Sequence, residues 1–189
     1  MAETRRPRSA LEGVLVAGTF GAAEDGIGLT IGERRPLALV HVGVREGDDA
    51  TRAAVGVTLP ALAGQTAVTG ETRAIWLAPD RWLLCQADAD GIRRAAPAAA
   101  VNDVSSGRTV LRLSGPRVRD VLASDCPLDL HPSAFGPGRS AATLIGHFGV
   151  VLDCVEADVV DVYVARGFAL DFWHWLTETA AEWGYRVDA

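Results

Sequence analysis

The chain has 189 residues, of which 49% are hydrophobic and 22% charged, so it is long enough for one compact domain with a real core. The net charge of −6 argues against a nucleic-acid-binding protein, and all eighteen of its Lys and Arg residues are arginine, which excludes a Schiff-base lysine. Three cysteines without CxxC spacing, no recognisable signal peptide and no membrane-length apolar run predict a cytoplasmic protein that does not engage a membrane.

The N-terminal part predicts a disordered tail followed by an α+β lobe. Residues 1–12 form the expected basic tail, because they carry arginines and little to bury. The run LALVHVGV (37–44) predicts a strand, and DATRAAVGVTLP (49–60) predicts a helix with Asp49 as its N-cap. Two further strands follow at 74–77 and 81–86, joined by a Pro-Asp turn. This order of elements predicts an α+β lobe over residues 13–92.

The C-terminal part predicts a second α+β lobe over residues 104–189, after an alanine-rich link at 93–103. RTVLRLSG alternates like a half-buried strand, and Pro116 then opens a helix with one apolar face. CPLDLHPSAFGPGR holds three prolines and predicts an irregular loop. Three strands are expected within residues 140–165, and a closing helix in 166–184 with Gly184 as its C′ residue.

The same loop brings Cys126, Asp129 and His131 close together in sequence, which raises the question of a nucleophile or a metal clip. Cys126 follows the C-terminal end of the predicted helix, where the helix dipole disfavours a thiolate. A zinc site would need about two more ligands at suitable spacing. The pattern therefore favours a structural loop, in which Leu128 and Leu130 enter the core.

Cofactor-binding motifs are absent from the sequence: no GxGxxG and no GxxxxGK[ST] occurs. The helix start at Gly115–Pro116 could bind an anion through its free N–H groups, although a proline at this position is also routine. We therefore predict no catalytic, cofactor-binding or metal-binding residue in the chain.

The closing helix predicts an unusually wide apolar stripe. Its centre is formed by six residues at helical spacing: Phe168, Phe172, Trp175, Leu176, Thr179 and Trp183. Trp173 lies at the margin of the stripe, and His174 lies on the opposite, polar face. Burial in the core explains such a stripe, but aromatic side chains are also enriched at interfaces, so Trp173 is the candidate anchor for a partner.

Three segments resemble a known family: WLAPDRWLL (76–84), SGRTVLRLSGPRVRDVLASDCPLDLHPSAFGPG (106–138) and VDVYVARGFALDFWHWL (160–176). Taken in order, they are similar to the gamma subunit of heterotetrameric sarcosine oxidase, and the likeness spans roughly residues 35–185. The resemblance implies two α+β lobes like the N-terminal part of the glycine-cleavage aminomethyltransferase fold.

The resemblance also implies partners and a reaction. The complex joins alpha, beta, gamma and delta subunits and oxidises sarcosine to glycine, with oxygen reduced to hydrogen peroxide. The methyl carbon passes to tetrahydrofolate or is released as formaldehyde. FAD, FMN, NAD and tetrahydrofolate are implied for other subunits, so the expected role of this chain is structural. The alternative from the sequence is a free-standing folate-binding or aminomethyltransferase-like protein.

Overall fold

The computed structural model describes residues 8–22, 26–35 and 37–188, and these residues form two β-sheets and four α-helices. In chain order the strands are β1 (Gly18–Phe20), β2 (Leu29–Glu33), β3 (Leu39–Gly43), β4 (Thr66–Thr69), β5 (Thr72–Ala78), β6 (Arg81–Cys85), β7 (Ala100–Asp103), β8 (Arg108–Ser114), β9 (Ser140–Ile145), β10 (Phe148–Glu156), β11 (Val159–Ala165) and β12 (Tyr185–Asp188). The helices are α1 (Asp49–Ala54), α2 (Ala89–Ala95), α3 (Val118–Ala123) and α4 (Ala169–Ala180).

The larger sheet has the strand order β1-β12-β2-β8-β11-β10-β9, and the smaller sheet has the order β4-β5-β6-β3-β7. Neighbouring strands are antiparallel, except that β12 pairs with β2 in parallel. The predicted α+β class is confirmed by this mixture of antiparallel sheets and segregated helices.

Three apolar clusters lie between four layers of secondary structure. The layers follow the order helices, large sheet, small sheet, helices. Alternate residues of β10 and β11 pack with α3 and α4, as Leu152 and Val162 illustrate. The opposite face of the large sheet meets the small sheet, where Tyr163 packs against Leu83. The outer face of the small sheet is covered by α1 and α2. Since β10 and β11 are covered on both faces, their sequences read as nearly continuous apolar runs.

Several predicted elements are confirmed: β3, β5, β6, β8, the three strands between 140 and 165, and the closing helix. The predicted helix over 49–60 is shorter than expected, since it ends at Ala54 and Gly56 adopts a left-handed φ of 79°. Its N-cap is Asp48 rather than Asp49, because the Asp48 carboxylate accepts a hydrogen bond from the Thr51 backbone N–H at 2.9 Å.

The predicted disordered tail needs correction. Residues 1–7 lie outside the described residues. Beyond them, Leu11 is completely buried in the core, and the Ser9 hydroxyl donates to the Glu33 carboxylate at 2.7 Å. The burial of Leu11 and the Ser9–Glu33 bond hold this segment against the rest of the domain.

The strands are not distributed as the predicted boundaries 13–92, 93–103 and 104–189 imply. β1 and β2 belong to the large sheet with the C-terminal strands, because β2 pairs with β8 and β12. The expected link contains the end of α2 and all of β7, which pairs with β3 at the edge of the small sheet. Whether the two halves fold as separate lobes stays a prediction.

Candidate functional site

The loop that contains Cys126, Asp129 and His131 is irregular, as predicted, and its polar groups bond locally. The Asp129 carboxylate accepts from the His131 backbone N–H at 2.9 Å, and His131 Nδ1 lies 2.8 Å from the Ser133 hydroxyl. Cys126 and Leu130 are buried in the helix-side core. Asp129 and His131 are thus engaged within the exposed loop, so the structural interpretation is favoured.

Arg119 holds this loop in place, a role that the sequence alone does not indicate. Its guanidinium donates to the backbone carbonyl oxygens of Leu130 and Phe135 and, at 2.7 Å, to that of Ala157. An arginine on α3 thereby closes the loop onto the end of β10. Its spacing to these carbonyls spans 11 to 38 residues, which no local pattern reveals.

The helix start at Gly115–Pro116 offers less to an anion than the sequence suggested. The Arg117 N–H already donates to the Gly28 carbonyl at 3.0 Å, and the Val118 N–H donates to the Gly115 carbonyl at 3.2 Å. The helix that follows, α3, has only six residues. The described residues also contain no group of three or more His, Cys, Asp or Glu placed to hold a metal ion.

A buried charged region lies between the two sheets and centres on Asp153 of β10 and Asp161 of β11. The two aspartates are direct cross-strand partners, and both side chains are completely buried. They point toward the small sheet, on the face opposite α3 and α4. Two like charges in this position are destabilising unless each has a cationic partner.

Three arginines supply those partners, and we call these five side chains the buried charge cluster: Arg34, Arg73, Arg112, Asp153 and Asp161. Arg112 binds Asp161 through two parallel hydrogen bonds of 2.8 and 2.9 Å, and Arg34 adds a third of 2.7 Å. Among the described residues only Arg73 binds Asp153, with both Nε and Nη2 donating, the latter at 2.6 Å. Because Arg73 lies on β5, this pair joins the small sheet to the large one.

The electrostatics of the cluster agree with paired charges. Burial raises the pKa of Asp153, and the hydrogen bonds and charge of Arg73 oppose that rise. Desolvation disfavours the Arg73 cation, but its bond to Asp153 leaves the pKa of Arg73 raised. The hydrogen bonds to Asp161 likewise raise the pKa of Arg112. Arg73 and Arg112 therefore stay charged, and the cluster forms a polar layer between the sheets.

Cys85 and Tyr163 extend this polar layer between the sheets, with Cys85 Sγ 3.2 Å from the Tyr163 hydroxyl. Burial raises the pKa of Cys85 to about 12 and that of Tyr163 well above its usual value. Because the thiolate is the nucleophilic form, Cys85 is a poor nucleophile at neutral pH. The arrangement is suited to holding two sheets together rather than to covalent chemistry.

Trp173 lies in the core of the chain. Only 6% of its surface is exposed, and it packs in the helix-side cluster with Phe172 and Leu176. Phe168, at the start of the predicted stripe, is instead 51% exposed. Such burial favours the core interpretation of Trp173, because little of the side chain is available to a partner. Its role as an interface anchor stays a prediction.

No helix in the described part of the chain is both long and apolar enough to cross a membrane. The predicted polar residues Asp171, His174 and Glu178 of α4 are all exposed, and Leu170 is exposed beside them.

Comparisons with solved structures relate this architecture to two proteins. A chain of the heterotetrameric sarcosine oxidase from Corynebacterium sp. U-96, solved in complex with pyrrole 2-carboxylate, matches with a TM-score of 0.78 and 29% identity, covering 87% of this chain and 88% of that one. The glycine cleavage system aminomethyltransferase T from Bartonella henselae matches with a TM-score of 0.58 and 15% identity, covering 82% of this chain and 49% of that one. The second likeness concerns the fold.

Sequence comparisons agree with the first of these structures. Sarcosine oxidase subunit gamma from Arthrobacter sp. is 36% identical over 154 residues, covering 75% of this chain and 76% of that protein. The subunit of the same name from Corynebacterium sp. strain P-1 is 32% identical over 165 residues, with 81% of each chain covered. The model of the sarcosine oxidase, gamma subunit family matches residues 47–182. The chain therefore belongs to the sarcosine oxidase gamma subunit family.

Proposed function

We propose that the chain is the gamma subunit of a heterotetrameric sarcosine oxidase and that it serves assembly without a catalytic site of its own. The observation that carries the proposal is the match to a chain of the solved Corynebacterium heterotetramer over 87% of this chain. The complex would oxidise sarcosine to glycine, reduce oxygen to hydrogen peroxide, and release the one-carbon unit to tetrahydrofolate or as formaldehyde.

The chemistry of the described side chains is consistent with a role in assembly rather than in catalysis. The buried carboxylates are bound by arginines, and the Cys85 thiol remains protonated at neutral pH. The sequence also lacks the glycine motifs that cradle dinucleotides. In this proposal FAD, FMN, NAD and tetrahydrofolate bind to other subunits, and the partners are the alpha, beta and delta subunits. Three free cysteines suit a reducing cytoplasm.

Expression of the chain alone tests the proposal. The purified chain should fold, carry no flavin absorbance and form no peroxide from sarcosine, whereas a complex with the three partners should form peroxide. Sarcosine-dependent peroxide formation by the isolated chain would overturn it.

A matched variant tests the loop that first suggested a nucleophile. Cys126→Ser in the assembled complex should leave sarcosine turnover within a few-fold of wild type, because Cys126 is buried and its thiol has no hydrogen-bonded base among the described residues. Loss of a thousand-fold or more, with assembly intact, would make Cys126 catalytic, since nucleophile removal has effects of about that size or larger.

A further inference from the structure

Arg108, at the start of β8, differs from the other arginines between the sheets. Side chains alternate along β8, so Arg108 shares a face with Val110 and Arg112, which lie toward the small sheet. The Arg112 side chain bonds to Asp161, but the Arg108 side chain makes no hydrogen bond or ion pair with any described residue. It is nevertheless half-buried, and desolvation lowers its pKa.

Arg108 lines a pocket of about 270 Å³, together with residues of the segments 37–39 and 105–110. Its other charged residues are engaged elsewhere: Arg34 binds Asp161, Arg166 donates to the Arg8 carbonyl at 2.8 Å, and Glu33 accepts from Ser9. Arg35 also lines the pocket and has its own contacts. Arg108 therefore contributes a cation whose donors are unpaired among the described residues.

The positive charge of Arg108 also affects the pKa of a neighbouring histidine. Burial lowers the pKa of His41 on β3, and the charge of Arg108 lowers it further. His41 thus stays neutral at pH 7 and does not compete as a cation. A partly desolvated charge without a partner is energetically unfavourable, and an incoming anion relieves that penalty.

We propose that the pocket beside Arg108 binds one oxyanion, a carboxylate or phosphate group, through the Arg108 guanidinium. The planar fork of donors in arginine matches both groups in two-point hydrogen bonding. The oxyanion belongs either to a free small molecule or to an acidic side chain of a partner subunit. The proposal for the isolated chain does not depend on the proposed function; only the partner source does.

The test uses the full chain, with inorganic phosphate and acetate as probes in isothermal titration calorimetry at constant ionic strength. Three variants are compared: Arg108→Gln, Arg108→Lys and the control Arg94→Gln, which removes the same charge from an exposed position on α2. At least one probe should bind saturably to wild type. Arg108→Gln should weaken it tenfold or more, Arg108→Lys should weaken it less, and Arg94→Gln should leave it unchanged.

Three results would overturn the proposal. The first is no saturable binding of either probe by wild type at concentrations up to about 10 mM, which is ample for a site with Kd near 1 mM. The second is unchanged binding by Arg108→Gln. The third is equal loss in Arg108→Gln and Arg94→Gln, which would indicate a general charge effect. Thermal melting of each variant without probe verifies that the chain remains folded.

A second arm distinguishes the two sources of the oxyanion. If a partner supplies it, phosphate binds the isolated chain but not the assembled complex, and Arg108→Gln weakens assembly. If the oxyanion is a free molecule, binding persists in the complex and Arg108→Gln assembles normally. The isolated-chain arm decides the pocket itself, so its result is independent of whether the complex forms.

Discussion

Replacing Arg73 with methionine should destabilise the chain severely, because it leaves Asp153 without its arginine. The Asp153 side chain is completely buried, and that of Arg73 is only 16% exposed. Removing one partner of a buried ion pair lowers the free energy of unfolding by about 3–5 kcal/mol. For a chain of this size, that loss lowers the melting temperature by roughly 6–20 °C.

The matched control is Arg112→Met in the same cluster. Asp161 then keeps the 2.7 Å hydrogen bond from Arg34, and Arg112 is already 40% exposed, so the loss should be clearly smaller. The double variant Arg73→Met/Asp153→Val removes both charges of the other pair. It should recover much of the stability, since apolar replacement of a whole buried pair is often neutral.

Urea denaturation monitored by tryptophan fluorescence gives the three free energies. The loss in Arg73→Met should also be smaller at about pH 5 than at about pH 8, because a buried carboxyl with a raised pKa can take up a proton. A loss below about 1 kcal/mol in Arg73→Met, the value expected of a surface pair, would refute the reasoning. Equal losses in Arg73→Met and Arg112→Met would refute it as well.

Three further outcomes are expected. Trp173→Ala should lower the free energy of unfolding of the isolated chain by about 3–5 kcal/mol, as for other buried tryptophans, and an unchanged melt would show that Trp173 is not core. Since the pKa of His41 is lowered in the folded state, the free energy of unfolding should fall as the pH drops below about 6.5. His41→Gln should make this pH dependence weaker, and identical pH profiles of wild type and variant would contradict the reasoning. Iodoacetamide should leave Cys85 unmodified in the folded chain at pH about 8, because a thiol with a pKa of about 12 is only about one ten-thousandth ionised there. Mass spectrometry detects the label, and rapid native modification of Cys85 would contradict its burial.

The central strands can be predicted from the sequence because their burial produces local runs of apolar residues. β10 and β11 appear as long β-branched runs, and α3 presents Val118, Val121 and Leu122 on one face. The peripheral strands β1, β2 and β12 escape prediction because they are fixed by pairing with distant strands rather than by a local apolar pattern.

The charge cluster is only half visible in the sequence. An aspartate inside each of the apolar runs VVLDCVE and VVDVYVA is a detectable anomaly, since an isolated buried carboxylate requires a partner. The partners themselves are not detectable, because Arg73 lies 80 residues from Asp153 and Arg34 lies 127 residues from Asp161. Only the packing of one sheet on the other brings these groups together.

The apolar stripe of the closing helix shows a different limit. Helical spacing groups Phe168 with Phe172, but Phe168 lies in a short 3-10 turn before α4 and is largely exposed. The helical spacing assumed for the stripe therefore does not apply to its first residue. The orientation of α4 instead buries Trp173, which periodicity placed at the margin.

Native mass spectrometry after co-expression with the alpha, beta and delta subunits tests the central claim most directly. A tag on this chain allows the assembly to be purified before its mass is measured. We predict a single species with one copy of each of the four subunits, in which the flavins are retained and this chain by itself carries none. Recovery of the tagged chain alone, while the other three subunits assemble into an active oxidase without it, would contradict the account.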